Sequence, residues 1–286
     1  MGSTGPQKLV TVVWSGLAAE VRHIRDDCGL SLEVVCDRLG WQQSKLSRME
    51  RGQQCISAAD LASLLVIYQV MGRERARLLH LVERQDEPGR WIVESSKLTP
   101  THNTLLRLEA EATSLVSAEL VQMPGLTQTA EYVRALMQAG DVPPELIEGR
   151  VYARKKRQLI LDKGRPPKFD ILLDEAALRR VVGSHAVMAR QLRALLEFAD
   201  RPNVRLWVVP QGVGGLVGFD CSFYMINFPR DESVVQLEGK TSLVYLEDQE
   251  AIDVFRQHSA KVGKAALDPA KSVALIARVG REHERE

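Results

Sequence analysis

Ser31–Gly52 reads SLEVVCDRLGWQQSKLSRMERG, and its spacing decides how the N-terminal part of the chain folds. A serine hydroxyl can accept a hydrogen bond from a free amide at a helix start, so Ser31 caps a helix beginning at Leu32. Leu32, Val35, Cys36 and Leu39 then share one face at helical spacing. Gly40 ends that helix, where a left-handed backbone costs glycine little. A second helix follows at once, with Leu46 and Met49 three residues apart on its apolar side. Two helices joined by so short a turn must cross steeply. Cys36, four residues before Gly40, is the small side chain that lets them approach.

The other side of the second helix carries the chemistry. Gln43, Ser44, Ser47 and Arg48 face away from the Leu46/Met49 stripe. Lys45 and Arg51 lie alongside, and Gln42 holds the cap position. Glutamine can bond adenine N6/N7 in bidentate fashion, and arginine can do the same with guanine O6/N7. Serine and lysine suit phosphates or either base. Lys45, Arg48 and Arg51 outnumber the acid Glu50 on this helix, although the whole chain carries a net charge of only +1. Turn, crossing residue and polar face coincide at helix-turn-helix spacing, so the helix Gln42–Arg51 is expected to read double-stranded DNA.

The flanks extend the pattern. Leu17, Val21 and Ile24 give a preceding helix its apolar face. Ser57 caps a following one, with Asp60 three residues on in a capping-box-like place. Leu61, Leu64, Leu65 and Tyr68 supply its inner side, and Leu78, Leu79 and Val82 that of a fifth helix over Arg73–Arg84. Five short helices and the phrase SKLSRMERG (Ser44–Gly52) resemble the phage-repressor, or Xre-type, DNA-binding family. That resemblance implies base contacts from Gln43, Ser44, Lys45, Ser47 and Arg48. Two positions depart from it. Leu32 stands where the family usually has a phosphate-contacting glutamine. Gln42 stands where Ser or Thr usually caps the recognition helix, which weakens that end by about 1 kcal/mol.

Residues 1–15 read as a mobile tail with a docking segment at Val10–Trp14, and residues 16–85 as the helix-turn-helix domain. Asp86–Pro100, with two prolines, a glycine and a serine pair, marks the boundary, and the linker is taken as 86–104; Trp91 and Ile92 within it suggest that part packs down. From 105 to 280 the periodicity is mixed, and 281–286 is a short tail. Strands are expected at Leu115–Val121, Lys168–Leu173, Asn203–Pro210, Phe219–Phe228 and Val234–Leu246. Helices are expected at Thr101–Ala112, Thr129–Ala139, Pro143–Leu161, Asp248–Ala266 and Pro269–Val279. Asp174, Ser184 and Asp268 read as helix caps. The predicted fold is therefore multi-domain, an all-α helix-turn-helix domain followed by a larger α+β, or mixed α/β, domain.

In that second part, LEAEAT (Leu108–Thr113), MPGLTQTAEY (Met123–Tyr132), LDEAALRR (Leu173–Arg180) and RPNV (Arg201–Val204) resemble the C-terminal domain of actinobacterial Xre-type regulators, the Scr1-family antitoxin-like group. The resemblance implies regulation of development or secondary metabolism and pairing with a small cognate protein. Repressors of this fold usually bind pseudo-palindromic sites as two-fold dimers, so a homodimer is expected.

Composition narrows the rest. The chain is 45% hydrophobic and 26% charged, an ordinary globular balance, so any DNA contact comes from a local basic face. Cys28, Cys36, Cys55 and Cys221 form no C-x-x-C pair and read as free thiols. No apolar run approaches membrane-spanning length and no signal peptide is apparent, which points to the cytoplasm. The six histidines are scattered, so neither metal nor cofactor is expected. Glu109 and Glu111, two apart on a helix, point in different directions and make a poor catalytic pair; the chain is not expected to be an enzyme. Gly212–Gly218 lacks the Gly-Lys-Ser/Thr ending of a phosphate loop and reads as a β-connection. Arg150–Arg157 (RVYARKKR) reads as a solvated face, with a phosphate-contacting or partner-docking patch as the alternative. Trp207, Phe219, Phe223 and Tyr224 read mainly as core, with a small-molecule pocket among them as the alternative, and no effector can be named.

Overall fold

The computed structural model describes residues 12–83, 90–94, 98–213, 220–239 and 242–286. The chain divides into two compact units, Met1–Leu108 with Gly239–Asp248, and Glu109–Glu238 with Gln249–Glu286. Among the described residues the strands are β1 Arg90–Glu94, β2 Ser114–Glu119, β3 Lys168–Asp174, β4 Val204–Val209, β5 Phe223–Asn227, β6 Ser233–Glu238 and β7 Ser242–Leu246.

The first unit opens with α1 Val12–Asp27, α2 Leu32–Leu39, α3 Gln43–Glu50, α4 Ala58–Ile67 and α5 Gly72–Glu83. The two serine caps hold as expected, whereas the carboxylate of the capping-box-like partner Asp60 turns to Lys45. Ser31 Oγ accepts from the Val34 amide at 3.2 Å, and Ser57 Oγ from the Asp60 amide at 3.0 Å. Gly40 closes α2 at φ 65°. Val21, Val35, Leu46, Leu61 and Leu78, one from each helix, are wholly buried. Each such burial stabilises by roughly 1.5–3 kcal/mol, so each helix depends on the other four. Cys36 is buried among them, and burial pushes its thiol up. The segment read as docking, Val10–Trp14, is helical from Val12 onward. The tail before it lies outside the described residues.

Inside the proline-bearing boundary stretch, β1 forms and pairs antiparallel with β7, Arg90 opposite Leu246 and Glu94 opposite Ser242. Local periodicity could not show this, because the partners are far apart in sequence. The helix expected at Thr101–Ala112 is α6 Leu98–Glu111.

The second unit is built on a mixed sheet of order β6-β5-β2-β3-β4. β2, β3 and β4 run parallel, and β5 and β6 add on antiparallel. Parallel neighbours need a crossover. The first is α7 Ala130–Ala139 with α8 Pro144–Gln158, and the second is α9 Glu175–Arg179 with α10 His185–Ala199. α11 Gln249–Ala265 and α12 Pro269–Arg285 complete the unit. Leu115, Phe169, Ile171, Leu173 and Val208 are wholly buried on the central strands. Asp174, Ser184 and Asp268 cap α9, α10 and α12 through the amides of Ala176, Val187 and Lys271. The stretch Val234–Leu246 is two strands rather than one, since β6 ends at Glu238 and β7 begins at Ser242.

The phrase Met123–Tyr132 becomes a hydrogen-bonded turn. Tyr132 Oη accepts from the Met123 amide at 3.1 Å, and Gln128 Nε2 donates to the Met123 carbonyl at 2.8 Å. Gln191 of α10 accepts from the Thr129 amide and donates to the Thr127 carbonyl. Gln158 donates to the Gln128 carbonyl at 2.7 Å. Every one of these side chains is at least nine-tenths buried or tied to the backbone, so the turn is held in one conformation.

Candidate nucleic-acid interface

α3 is oriented by its buried side. Leu46 and Met49 have no exposed surface, which turns the opposite side outward. Gln42, Gln43, Ser44, Arg48 and Arg51 are exposed, and Lys45 and Ser47 are half-buried. Gln42 is the N-cap and its side chain makes no capping bond, as expected for glutamine there. Arg51 is the C-cap, and its Nε donates to the Ser47 carbonyl at 3.1 Å.

Sequence reasoning counted Glu50 against the basic character of the helix. The structure turns it inward. Arg25 of α1 grips it with two parallel bonds, Nε to Oε1 at 2.7 Å and Nη2 to Oε2 at 2.8 Å. Arg25 also donates to the Leu30 carbonyl at 2.8 Å. Both charged side chains are more than nine-tenths buried, and the bond to Glu50 raises the arginine's affinity for its proton. The acid is therefore neutralised in the core, and the exposed side of α3 keeps Arg48 and Arg51 without it.

Lys45 is more constrained than its neighbours. Its Nζ lies 2.7 Å from Asp60 Oδ1 and 3.9 Å from the centre of the Trp41 ring. Asp60 thus meets Ser57 through its amide and Lys45 through its carboxylate, which ties α4 to α3. The C-terminal end of α3 is also held. Arg107 donates to the carbonyls of Arg51 and Gly52 at 2.8 and 2.9 Å. Gly52 has φ 62°, and a β-carbon there would lie 1.9 Å from Arg107 Nη1, so both backbone shape and space call for glycine. A cation on the last carbonyls is favourable to the helix dipole.

In the second unit the basic run divides. Lys155 and Lys156 are exposed, Arg157 is buried, and Arg154 is half-buried. Arg157 binds Glu109 through Nη2 to Oε1 at 2.6 Å and Nε to Oε2 at 3.0 Å. Glu111 is exposed, so the two glutamates do point apart. Two of the scattered histidines meet: His185 and His283 approach through their Nδ1 atoms at 2.9 Å, with His283 Nε2 on the Leu178 carbonyl. Among the described residues no group of three His, Cys, Asp or Glu could hold a metal ion. None of the four cysteines is in a disulfide. Of the aromatic residues read as core, Phe223 is buried, Trp207 and Tyr224 are half-buried, and Phe219 lies outside the described residues. Most of the glycine-rich run after β4 lies outside them as well. No described helix is long and apolar enough to cross a membrane.

A bundle of five helices that buries one side of its third and exposes a polar, basic other side defines a helix-turn-helix protein. The family model described as a helix-turn-helix domain matches residues 17–78. A second model, described as a domain of unknown function (DUF5753), matches residues 102–278. That match covers more than half of the chain, and the chain belongs to this family. No curated protein matches it.

Proposed function

We propose that the chain is a sequence-specific transcriptional regulator of the Xre type that reads operator DNA through α3. The observation that carries this reading is the outward face of α3, where Gln43, Ser44, Arg48 and Arg51 stand exposed and the only acid of the helix is locked to Arg25. Arg48 and Gln43 would supply bidentate base contacts, and Ser44, Ser47, Lys45, Gln42 and Arg51 would contact phosphate or either base. A homodimer would span two half-sites about one helical turn apart. The second unit would serve dimerisation and the sensing of a signal or partner, as in the actinobacterial Scr1-type regulators it resembles. The setting would be the cytoplasm, and the chain would carry out no catalysis.

Binding of the full chain to the DNA upstream of its own gene tests this reading. Binding should weaken steeply as salt rises, and one base position should lose its preference in Arg48→Ala. Equal binding to unrelated DNA by wild type and variant would overturn base readout.

A second reading is an antitoxin-like protein that chiefly binds a small cognate protein and autoregulates. It draws on the exposed apolar side chains Leu146, Tyr152 and Leu159 along and just beyond α8, which are 50%, 71% and 63% exposed. Co-purification of the full chain with the product of a neighbouring small gene tests it. Capture that fails in Tyr152→Ser would support it, and a lone peak with unaltered DNA affinity would overturn it.

A further inference from the structure

Ser117 of β2, Tyr224 of β5 and Gln236 of β6 stand opposite one another in register, so their side chains leave the same face of the sheet. Glu119, two residues past Ser117, joins that face. Polar side chains across three adjoining strands are a departure from a packed core. α8 brings two arginines to this face. Arg157 is satisfied by Glu109, which also accepts from Tyr224 Oη at 2.9 Å.

Arg154, one turn earlier on α8, is not. Among the described residues it makes no hydrogen bond and no ion pair, although Glu109, Glu119 and Glu238 lie within electrostatic reach. Glu119 accepts instead from Ser117 at 2.9 Å and from Ser222. The guanidinium of Arg154 rests against Gly125. A β-carbon there would come within 2.6 Å of its Nη1 and 3.7 Å of Arg157 Nη1. Among the described residues Gln236 Oε1 is buried with no hydrogen-bond partner. Protein crowds Arg154, Glu119 and Tyr224 on nearly all sides, yet solvent touches part of each. Side chains that line a recess look like this; side chains that fill a core do not. A guanidinium carries five N–H donors, and crowding them without an acceptor is costly unless a ligand supplies one.

We propose that this recess, walled by α8, the Met123–Thr129 turn and the β2–β5–β6 face, binds a small organic oxyanion, a carboxylate or a phosphate. Arg154 is its anchor, and Gln236 accepts from a hydroxyl or amine elsewhere on the ligand. Glu119 sits beside the anchor. Burial pulls its carboxyl up to about 7, so near neutrality it can stay protonated and tolerate an anion. The same crowding pulls the Arg154 guanidinium down to about 10, which an arriving anion would reverse. This gives the sensing role of the second unit a ligand class and rests on that part of the proposed function.

The test is isothermal titration of the full chain with inorganic phosphate and, separately, with benzoate, against chloride at matched ionic strength. One oxyanion should bind saturably, and which one distinguishes a phosphate from a carboxylate ligand. Arg154→Gln should weaken that binding on the order of 10- to 100-fold. Arg154→Lys, which keeps the charge and loses the fork, should weaken it less and serves if Arg154→Gln does not fold. Saturable binding of neither probe, or binding unchanged in both variants, overturns the proposal. DNA binding is measured separately without probe. A chain that binds DNA and neither oxyanion loses only the recess; one that binds an oxyanion and no DNA loses only the operator reading.

Discussion

Each unit buries a bidentate arginine–carboxylate pair, and the two pairs do opposite things to their surroundings. In the first unit Glu50 lies on the buried side of α3, four residues past Leu46, and Arg25 neutralises it there. What remains outside is a polar, basic surface open to a macromolecule. In the second unit Arg157 draws Glu109 onto the sheet face, where Tyr224 joins them. What remains is Arg154, a cation facing inward with no partner of its own among the described residues. Pairing one acid thus frees an external face in one case and leaves an internal cation in the other. Position relative to the core, more than residue type, separates a surface suited to DNA from a recess suited to a small molecule.

The largest effect should come from breaking the pairs. Glu50→Ala leaves a buried guanidinium uncompensated and should cost about 3–5 kcal/mol in chemical denaturation, with DNA binding lost alongside. Glu109→Ala should cost a similar amount, because it strips Arg157 and Tyr224 together. If either substitution lies within a kcal/mol of wild type, the parallel between the pairs fails.

Next comes Glu119. Its folded carboxyl titrates near 7 against an ordinary value of 4.5, so between those pH values the folded chain holds a proton that the unfolded chain has lost. Stability is then greatest below the ordinary value, falls as pH rises through about 7, and levels off above it, a loss of at most about 3 kcal/mol. Glu119→Gln should flatten this fall and raise stability at pH 8, read from melting temperatures across pH. A parallel pH profile in the variant would remove Glu119 from the account of the recess.

On the DNA side, Arg48→Ala should cost about 1–3 kcal/mol at one base position. Lys45→Ala should cost less, without base preference, and lower the salt slope by at most about 1, because its ammonium already rests on Asp60 and Trp41. Equal losses would mean that Lys45 leaves Asp60 on binding. The smallest effect is Gln42→Ser, which supplies the missing cap and should stabilise by about 1 kcal/mol with α3 otherwise unchanged. Melting curves of the two proteins settle it.

Much of the first unit was legible because its signals are local. Ser31, Gly40, Leu46 and Met49 each act within a few residues of themselves, so the ends and the buried side of α2 and α3 could be read directly. Glu50, four residues past Leu46, falls on that same buried side by helical spacing; its pairing there was not legible, since Arg25 lies on another helix. In the second unit the caps Asp174, Ser184 and Asp268 were readable for the same local reason. The polar face of the sheet went unread, although a signal was present. Ser117 and Glu119, Ser222 and Tyr224, and Gln236 and Glu238 each place two polar residues at strand spacing. Three such strands in one sheet make a polar face only if they become neighbours in register, and that depends on β2 pairing with β5 across more than a hundred residues of chain.

The sequence by itself determined the helix-turn-helix, the order of most helices and strands, and the residues that α3 turns outward, because periodicity and capping are settled within one turn or one strand. Only the tertiary structure decided which charges survive. It gave Glu50 its partner, engaged Lys45, split Arg150–Arg157 into a buried pair, a crowded cation and a solvated part, and joined β1 to β7. An ionisable side chain takes its character from what lies within a few ångströms in space, and distance along the chain does not report that distance.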